Sequence, residues 1–149
     1  MDIKHLKPSR KSRYQQGYIN PHSCKKLVDY SKPIIYRSSY EKKFVCWLES
    51  SPQVVRWGSE CVCIPYLYID SKTHKYYPDY YVEMEDGGRT VKMLVEIKPA
   101  NQTKPPVNEN AWAMKEWSRN SCKWKAAMEY CNQRGLVFKI LTEHTINRL

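Results

Sequence analysis

Tyr76-Tyr77-Pro78-Asp79-Tyr80-Tyr81-Val82-Glu83-Met84-Glu85-Asp86-Gly87-Gly88-Arg89-Thr90-Val91-Lys92-Met93-Leu94-Val95-Glu96-Ile97-Lys98 decides how this chain folds. Two alternating runs flank Asp86-Gly87-Gly88-Arg89, and the paired glycines supply the positive φ that a tight hairpin turn needs. With Gly87 and Gly88 in the turn, the numbers of facing residues sum to 175. Met84 then faces Val91, Val82 faces Met93, Tyr80 faces Val95 and Pro78 faces Ile97. That face is apolar throughout and is expected to be buried. On the other face Glu85 meets Thr90, Glu83 meets Lys92 as a favourable pair, Tyr81 meets Leu94 and Asp79 meets Glu96. A slip of one residue would expose the apolar face, so the pattern itself selects this register.

The same register has a chemical consequence. Facing residues hold their Cβ atoms roughly 4.5–5.5 Å apart, so Asp79 and Glu96 share one site at the end of the hairpin away from the turn. Lys98, two residues beyond Glu96, points the same way. Facing carboxylates repel unless something positive lies between them. Mg²⁺ takes one or two carboxylates together with waters and phosphate oxygens, and Mn²⁺ is expected to substitute for it. An adjacent lysine orients or deprotonates a water, or stabilises charge on a phosphate. The set is therefore suited to cutting a phosphodiester. The plainer alternative is an acid pair at a sheet edge, neutralised by Lys98.

Composition agrees with a polyanionic partner. The chain has 149 residues, enough for one domain with an ordinary core, and carries 25 Lys or Arg against 15 Asp or Glu. Up to Arg37 there are nine cations against Asp2 and Asp29, which is +7 of the net +10. Residues 1–35 read as a basic arm, with a short helical turn near Cys24 to Tyr30, and residues 36–149 as the domain proper. Lys7, Arg10, Lys11, Arg13 and Arg37 are candidate phosphate contacts; the arm reads equally as a solvated tail or a segment that docks on protein. The six cysteines contain no CxxC pair and the four histidines are scattered, so neither a disulfide framework nor a zinc cluster is expected. No apolar run is long enough for a membrane span or a leader, and a reducing cytosol is the expected compartment.

Along the chain, Ser38-Ser39-Tyr40-Glu41 opens a helix to about Ser50. Glu41, Val45 and Leu48 share a stripe, which puts an acid among core residues as a third candidate ligand. Ser38 and Glu41 also form a capping box in which Glu41 returns to the Ser38 N–H. Val54 to Trp57 and Cys61 to Ile69 read as strands, the second with Pro65 as an edge signal. The hairpin strands are expected at about Tyr76–Glu85 and Thr90–Lys98. A polar loop follows, in which Lys104 is a candidate backbone contact. A long helix, capped by Asn108 or Asn110 and with a candidate break near Ser118–Ser121, runs to Arg134 before Gly135; Trp112, Trp117, Trp124, Met128 and Cys131 are expected to supply mostly core, and Lys123 is a candidate phosphate contact. Leu136 to Leu141 reads as a last strand and Glu143 to Leu149 as a tail helix.

The order of a helix bearing Glu41, the Pro78-Asp79 strand, the Glu96-x-Lys98 strand and a following helix resembles the PD-(D/E)xK nuclease superfamily. The run Tyr36-Arg37-Ser38-Ser39-Tyr40-Glu41 with the two motif strands resembles the amino-terminal catalytic domain of the transposon-end endonuclease TnsA. From Ile3-Lys4-His5-Leu6-Lys7-Pro8 to Ile140-Leu141-Thr142-Glu143 the chain is similar to the head completion nucleases of T-even-like tailed phages. The resemblance implies an α/β (α+β), restriction-endonuclease-like core with a central mixed sheet flanked by helices. It implies Asp79 as the central metal ligand, Glu96 as the second, Glu41 as a further active-site acid and Lys98 as the catalytic lysine. It also implies DNA as substrate, partners among phage head and neck proteins, and work in the host cytoplasm during assembly or in the virion. Nothing resembles a base-reading helix, so cutting directed by DNA structure or ends is expected. A non-catalytic DNA-binding assembly protein that keeps a nuclease fold is the rival expectation.

Overall fold

The computed structural model describes residues 16–108 and 110–149. Lys7, Arg10, Lys11 and Arg13 lie outside the described residues. Among those described, the strands are β1 (Gly17–Ile19), β2 (Ile34–Tyr36), β3 (Val54–Ser59), β4 (Ile64–Leu67), β5 (Thr73–Tyr76), β6 (Tyr80–Asp86), β7 (Arg89–Ile97) and β8 (Val137–Leu141). The α-helices are α1 (Ser39–Ser50), α2 (Ala111–Arg134) and α3 (Glu143–Ile146), with short 3-10 turns at Pro21–Ser23 and Ala100–Gln102.

The main sheet runs β3-β6-β7-β8. β3, β6 and β7 are antiparallel neighbours, and β8 lies parallel to β7. A parallel neighbour needs a crossover, which α2 supplies. The β6–β7 register is the one the sequence pattern selects, from Asp86 opposite Arg89 to Tyr80 opposite Val95. Gly87 and Gly88 take φ of 57° and 83°, the left-handed pair that lets two residues turn the chain.

Both faces of this sheet are covered, because successive strand side chains point to opposite sides. Tyr80, Val82 and Val95 pack with Phe44, Val45 and Leu48 of α1, Trp57 of β3 and Ile146 of α3. Leu94, on the opposite side, packs with Trp124, Ala127 and Cys131 of α2 and with Ile64, Tyr66 and Tyr76 of the β4–β5 hairpin. α1 starts at Ser38, whose Oγ accepts the Glu41 N–H at 3.2 Å. Replacing Ser38 by alanine should cost about 1 kcal/mol in urea unfolding, the usual cost of a lost cap. α2 is unbroken through Ser118–Ser121, is capped by Asn110, and ends where Gly135 takes φ 68°.

Several expectations are corrected. The strand expected from Tyr76 to Glu85 is two strands in two sheets. Tyr76 ends β5 and pairs with Ile64, whereas β6 begins only at Tyr80. Pro78 has no N–H for a ladder, and the chain bends at Asp79. Asp79 and Glu96 are therefore not ladder partners; the Ile97 N–H is taken instead by Asp79 Oδ2 at 2.8 Å. Glu83, opposite Lys92 in register, bonds to Arg56 Nε of β3 at 2.6 Å and to the Tyr81 hydroxyl at 2.7 Å. The strand expected over Cys61 to Ile69 covers Ile64–Leu67 alone.

The described part of the expected arm folds onto the body. Cys24, Leu27, Ile34 and Ile35 are buried, and β1 pairs with β2. The surrounding cations hid these apolar residues from a reading based on charge. Lys26 donates from Nζ to the carbonyls of Leu48 (3.1 Å) and Ser51 (2.6 Å), and so satisfies the C-terminal end of α1. Trp112 and Met128, expected in the core, are exposed; the stripe of α2 that faces the sheet runs instead through Asn120, Trp124, Ala127 and Cys131. Cys46 of α1 is exposed as well.

Candidate active site

The unpaired end of the β6–β7 hairpin opens into a cavity of about 260 Å³. Glu41, Asp79, Glu96 and Lys98 all line it, together with Arg37, Ser38, Tyr40, Gln102 and Glu143. Four residues picked from three separate segments of sequence thus meet at one place, through three elements. Glu41 comes from the first turn of α1. Asp79 sits on the turn before β6, and Glu96 and Lys98 at the end of β7.

Each carboxylate is held by neutral donors or a cation. Asp79 is half-buried, lines the cavity, and accepts the Ile97 N–H through Oδ2. Burial raises its pKa well above the ordinary carboxylate value, and the nearby charges of Glu96 and Glu41 raise it further. Glu96 is buried; its Oε2 accepts the Tyr76 hydroxyl at 2.7 Å and its Oε1 lies 3.6 Å from Lys98 Nζ. Desolvation raises the Glu96 pKa, opposed first by the Lys98 charge and then by the Tyr76 hydrogen bond. Burial likewise raises Glu41, opposed by the Arg37 N–H, which Glu41 Oε2 accepts at 3.0 Å. The capping box is thus modified: the glutamate returns to the Arg37 N–H and also accepts from Ser38 Oγ at 3.3 Å. Glu41 caps α1 and lines the cavity at once.

Two buried acids, Glu41 and Glu96, and the half-buried Asp79 around one cavity form a site whose charges are only partly compensated by the protein. Among the described residues, no three His, Cys, Asp or Glu side chains are gathered tightly enough to hold a metal ion unaided. Carboxylate oxygens alone, in a cavity with room for further ligands, nevertheless suit a hard cation that takes one or two carboxylates and completes its shell with water and phosphate oxygens.

The other residues expected to touch DNA divide. Arg37 lines the cavity, but its guanidinium is committed to an ion pair with Glu60. Glu60 itself has φ 48°, and its N–H donates to the Asp79 carbonyl at 3.0 Å, so this pair braces the turn that carries Asp79. Lys104 is exposed on the loop after β7. Lys123 is half-buried on α2, with Nζ 5.6 Å from the centre of the Tyr76 ring. Burial lowers the Lys123 pKa, the neighbouring Lys98 lowers it further, and Glu96 opposes both.

Two contributors were not foreseen. Tyr76 stood in the quoted stretch but was assigned to the β6 strand; as the last residue of β5 it reaches Glu96 from the other side. Glu143, at the start of α3, accepts the Ala100 N–H at 2.9 Å and lines the cavity. No local pattern marks either role, since both arise from elements distant in sequence.

Comparison with known proteins identifies the family. Residues 51–143 match the family of TnsA-like endonuclease N-terminal domains. That span contains Asp79, Glu96 and Lys98 and stops short of Glu41. The head completion nuclease of Enterobacteria phage T4 is 36% identical over 140 residues, covering 87% of this chain and 91% of that protein. A mixed sheet between helices, with its acids and lysine gathered at the open end of the central hairpin, is thus a restriction-endonuclease-like nuclease domain, and the chain belongs to the TnsA-like endonuclease family.

Proposed function

We propose that this protein is a divalent-metal-dependent endodeoxyribonuclease that trims DNA during completion of a phage head, directed by DNA structure or ends rather than by sequence. The observation that carries this reading is the convergence of Glu41, Asp79, Glu96 and Lys98 on one cavity, with all three acids pushed above their ordinary pKa. The head-completion role rests on the similarity to the T4 protein of that name. Other head or neck proteins are the expected partners, and the host cytoplasm during assembly, or the virion, the expected place.

Asp79 and Glu96 would hold Mg²⁺ or Mn²⁺, with Glu41 on the same cavity wall. The ion would supply positive charge to the phosphate and acidity to a bound water. The protein's own residues do the rest. Lys98 presents an ammonium beside Glu96, where it orients the attacking water and opposes the charge that builds on the phosphate oxygens. Tyr76 fixes one oxygen of Glu96 and leaves the other for Lys98. The Ile97 N–H fixes Asp79 in the same way. The Arg37–Glu60 pair holds the turn that presents Asp79.

The test is incubation of supercoiled plasmid with the purified protein and its Asp79→Asn variant, in Mg²⁺, Mn²⁺ or EDTA. Nicking by the wild type that needs metal and is absent in the variant supports the reading. No cutting under any condition, with DNA binding retained, would leave a non-catalytic assembly protein. Tyr76→Phe gives a finer check. It removes the donor to Glu96, so the Mg²⁺ concentration for half-maximal nicking should rise about 10-fold, as for other residues that orient metal ligands. An unchanged metal titration would remove Tyr76 from the site.

A further inference from the structure

The β4–β5 hairpin breaks the usual alternation of a surface hairpin. One side faces the body, where Ile64, Tyr66 and Tyr68 are buried against α2 and Arg119 lies 5.4 Å from the centre of the Tyr68 ring. The outward side should then be polar. Instead it carries Pro65, exposed Leu67 (66% accessible) and, just beyond the strand, exposed Ile69 (74% accessible). Burial of the core gives no reason for this, because neither side chain touches it.

The surroundings say what kind of partner fits. Lys75 is paired with Pro65 in register and Lys72 lies in the turn, so the apolar tip is bordered by exposed cations. Asp70, the acid nearby, is already bonded to His74 at 2.9 Å and to the Lys72 N–H at 2.9 Å. The tip is also stiff. Ser71 turns the chain with φ 62°, and the Ser71 N–H donates to the Tyr68 carbonyl at 3.0 Å. Two apolar side chains on a narrow tip fall far short of the roughly 800 Å² per partner of a stable protein interface. They match the few apolar wedges that DNA-bending proteins drive between base steps. Finally, the hairpin ends beside the cavity: its last residue, Tyr76, donates to Glu96, which lines it.

We propose that the β4–β5 hairpin is a DNA wedge, with Leu67 and Ile69 inserting into the base stack of the duplex whose backbone is cut in the adjoining cavity. Leu67 is opposite Thr73, three residues from Tyr76, a reach of about 10 Å at ~3.4 Å per residue. That is about three base steps at ~3.4 Å each, so the stack should open within roughly five base pairs of the cut. Insertion unstacks a step whatever its sequence, which accounts for structure-directed cutting without a base-reading helix. The proposal rests on the nuclease reading for what the wedge serves, but it is tested without cutting.

The full chain carrying Asp79→Asn is added in excess to a short duplex containing 2-aminopurine, whose fluorescence rises on unstacking. The comparison is the same chain with Leu67→Thr and Ile69→Thr as well, changes that suit an exposed strand and leave the core alone. Fluorescence should rise several-fold with the first protein and fall at least about threefold with the second. Affinity for duplex at low salt should change far less, since phosphate contacts dominate it. No rise with either protein, or the same rise with both, would overturn the wedge. The Leu67→Thr/Ile69→Thr change is also made with Asp79 intact. Plasmid nicking by wild type with no fluorescence difference defeats the wedge alone; absence of nicking by wild type defeats the nuclease reading, whatever the fluorescence shows.

Discussion

Asp79→Asn should abolish cutting and, in EDTA, make the protein more stable than the wild type. The carboxylate lines the cavity, and its pKa is raised by burial first, then by Glu96 and by Glu41. Without a cation, its charge is a cost of folding. Asparagine has the same shape and keeps an oxygen for the Ile97 N–H, so it removes the charge and little else. Relief of an uncompensated buried charge is worth about 2 kcal/mol here, at the low end for such groups, which for a chain of this size is roughly 4–8 °C in Tm. Mg²⁺ should reverse the order: a ligand present at 100 times its Kd adds about 2.7 kcal/mol to the protein that binds it. Differential scanning calorimetry in EDTA and in Mg²⁺ reads both effects. A variant less stable than wild type in EDTA would mean that Asp79 is a structural acid already neutralised by its surroundings.

The sign of the pH dependence follows from the same shift. A carboxyl group whose pKa is higher in the folded state binds its proton more tightly there. Its contribution to stability is therefore fully present below the unfolded value, about 3.9 for Asp, and is lost as pH rises through the raised folded value. In EDTA the wild type should lose stability relative to Asp79→Asn as pH is raised above the ordinary carboxylate range. Equal slopes for the two proteins over that range would remove the buried charge as the cause.

The parts of this molecule legible in its sequence are those set by short-range rules. The β6–β7 register follows from alternation and a two-glycine turn, and α1 from a serine cap and a 3.6-residue stripe; both hold in the structure. Because the three acids and Lys98 lie on or beside these elements, their convergence could be read as well. What could not be read depends on which element packs against which. Tyr76 belongs to a second sheet because Pro78 interrupts the ladder, and only then does its hydroxyl meet Glu96. Arg37 reads as a phosphate ligand from its charge, but it is taken by Glu60, a residue 23 positions away held in a left-handed conformation. Leu67 and Ile69 alternate correctly for a half-buried strand with Tyr66 and Tyr68. Pattern alone does not tell that both faces are apolar and that one of them meets solvent.

Lys98→Met should give the opposite stability change to Asp79→Asn together with a similar loss of cutting. Lys98 is the first charge that opposes desolvation of Glu96, and its Nζ lies 3.6 Å from Glu96 Oε1. Methionine keeps much of the stem but leaves Glu96 with the Tyr76 hydroxyl and the weaker influence of the Lys123 charge. Leaving a buried acid so poorly compensated should destabilise the metal-free protein by about 1–3 kcal/mol, measured by urea unfolding in EDTA. The nicking rate in Mg²⁺ should fall on the order of 10²–10³-fold, the usual effect of removing a group that stabilises transition-state charge. Duplex binding should change much less, because one cation among 25 contributes little to overall attraction. The pair of variants separates the two readings of these residues. If Lys98 only neutralised an acid pair at a sheet edge, its loss would destabilise the fold while leaving metal-dependent nicking intact, and Asp79→Asn would relieve nothing. Opposite stability changes with a shared loss of nicking require a site where two acids await a cation and the lysine serves the reaction.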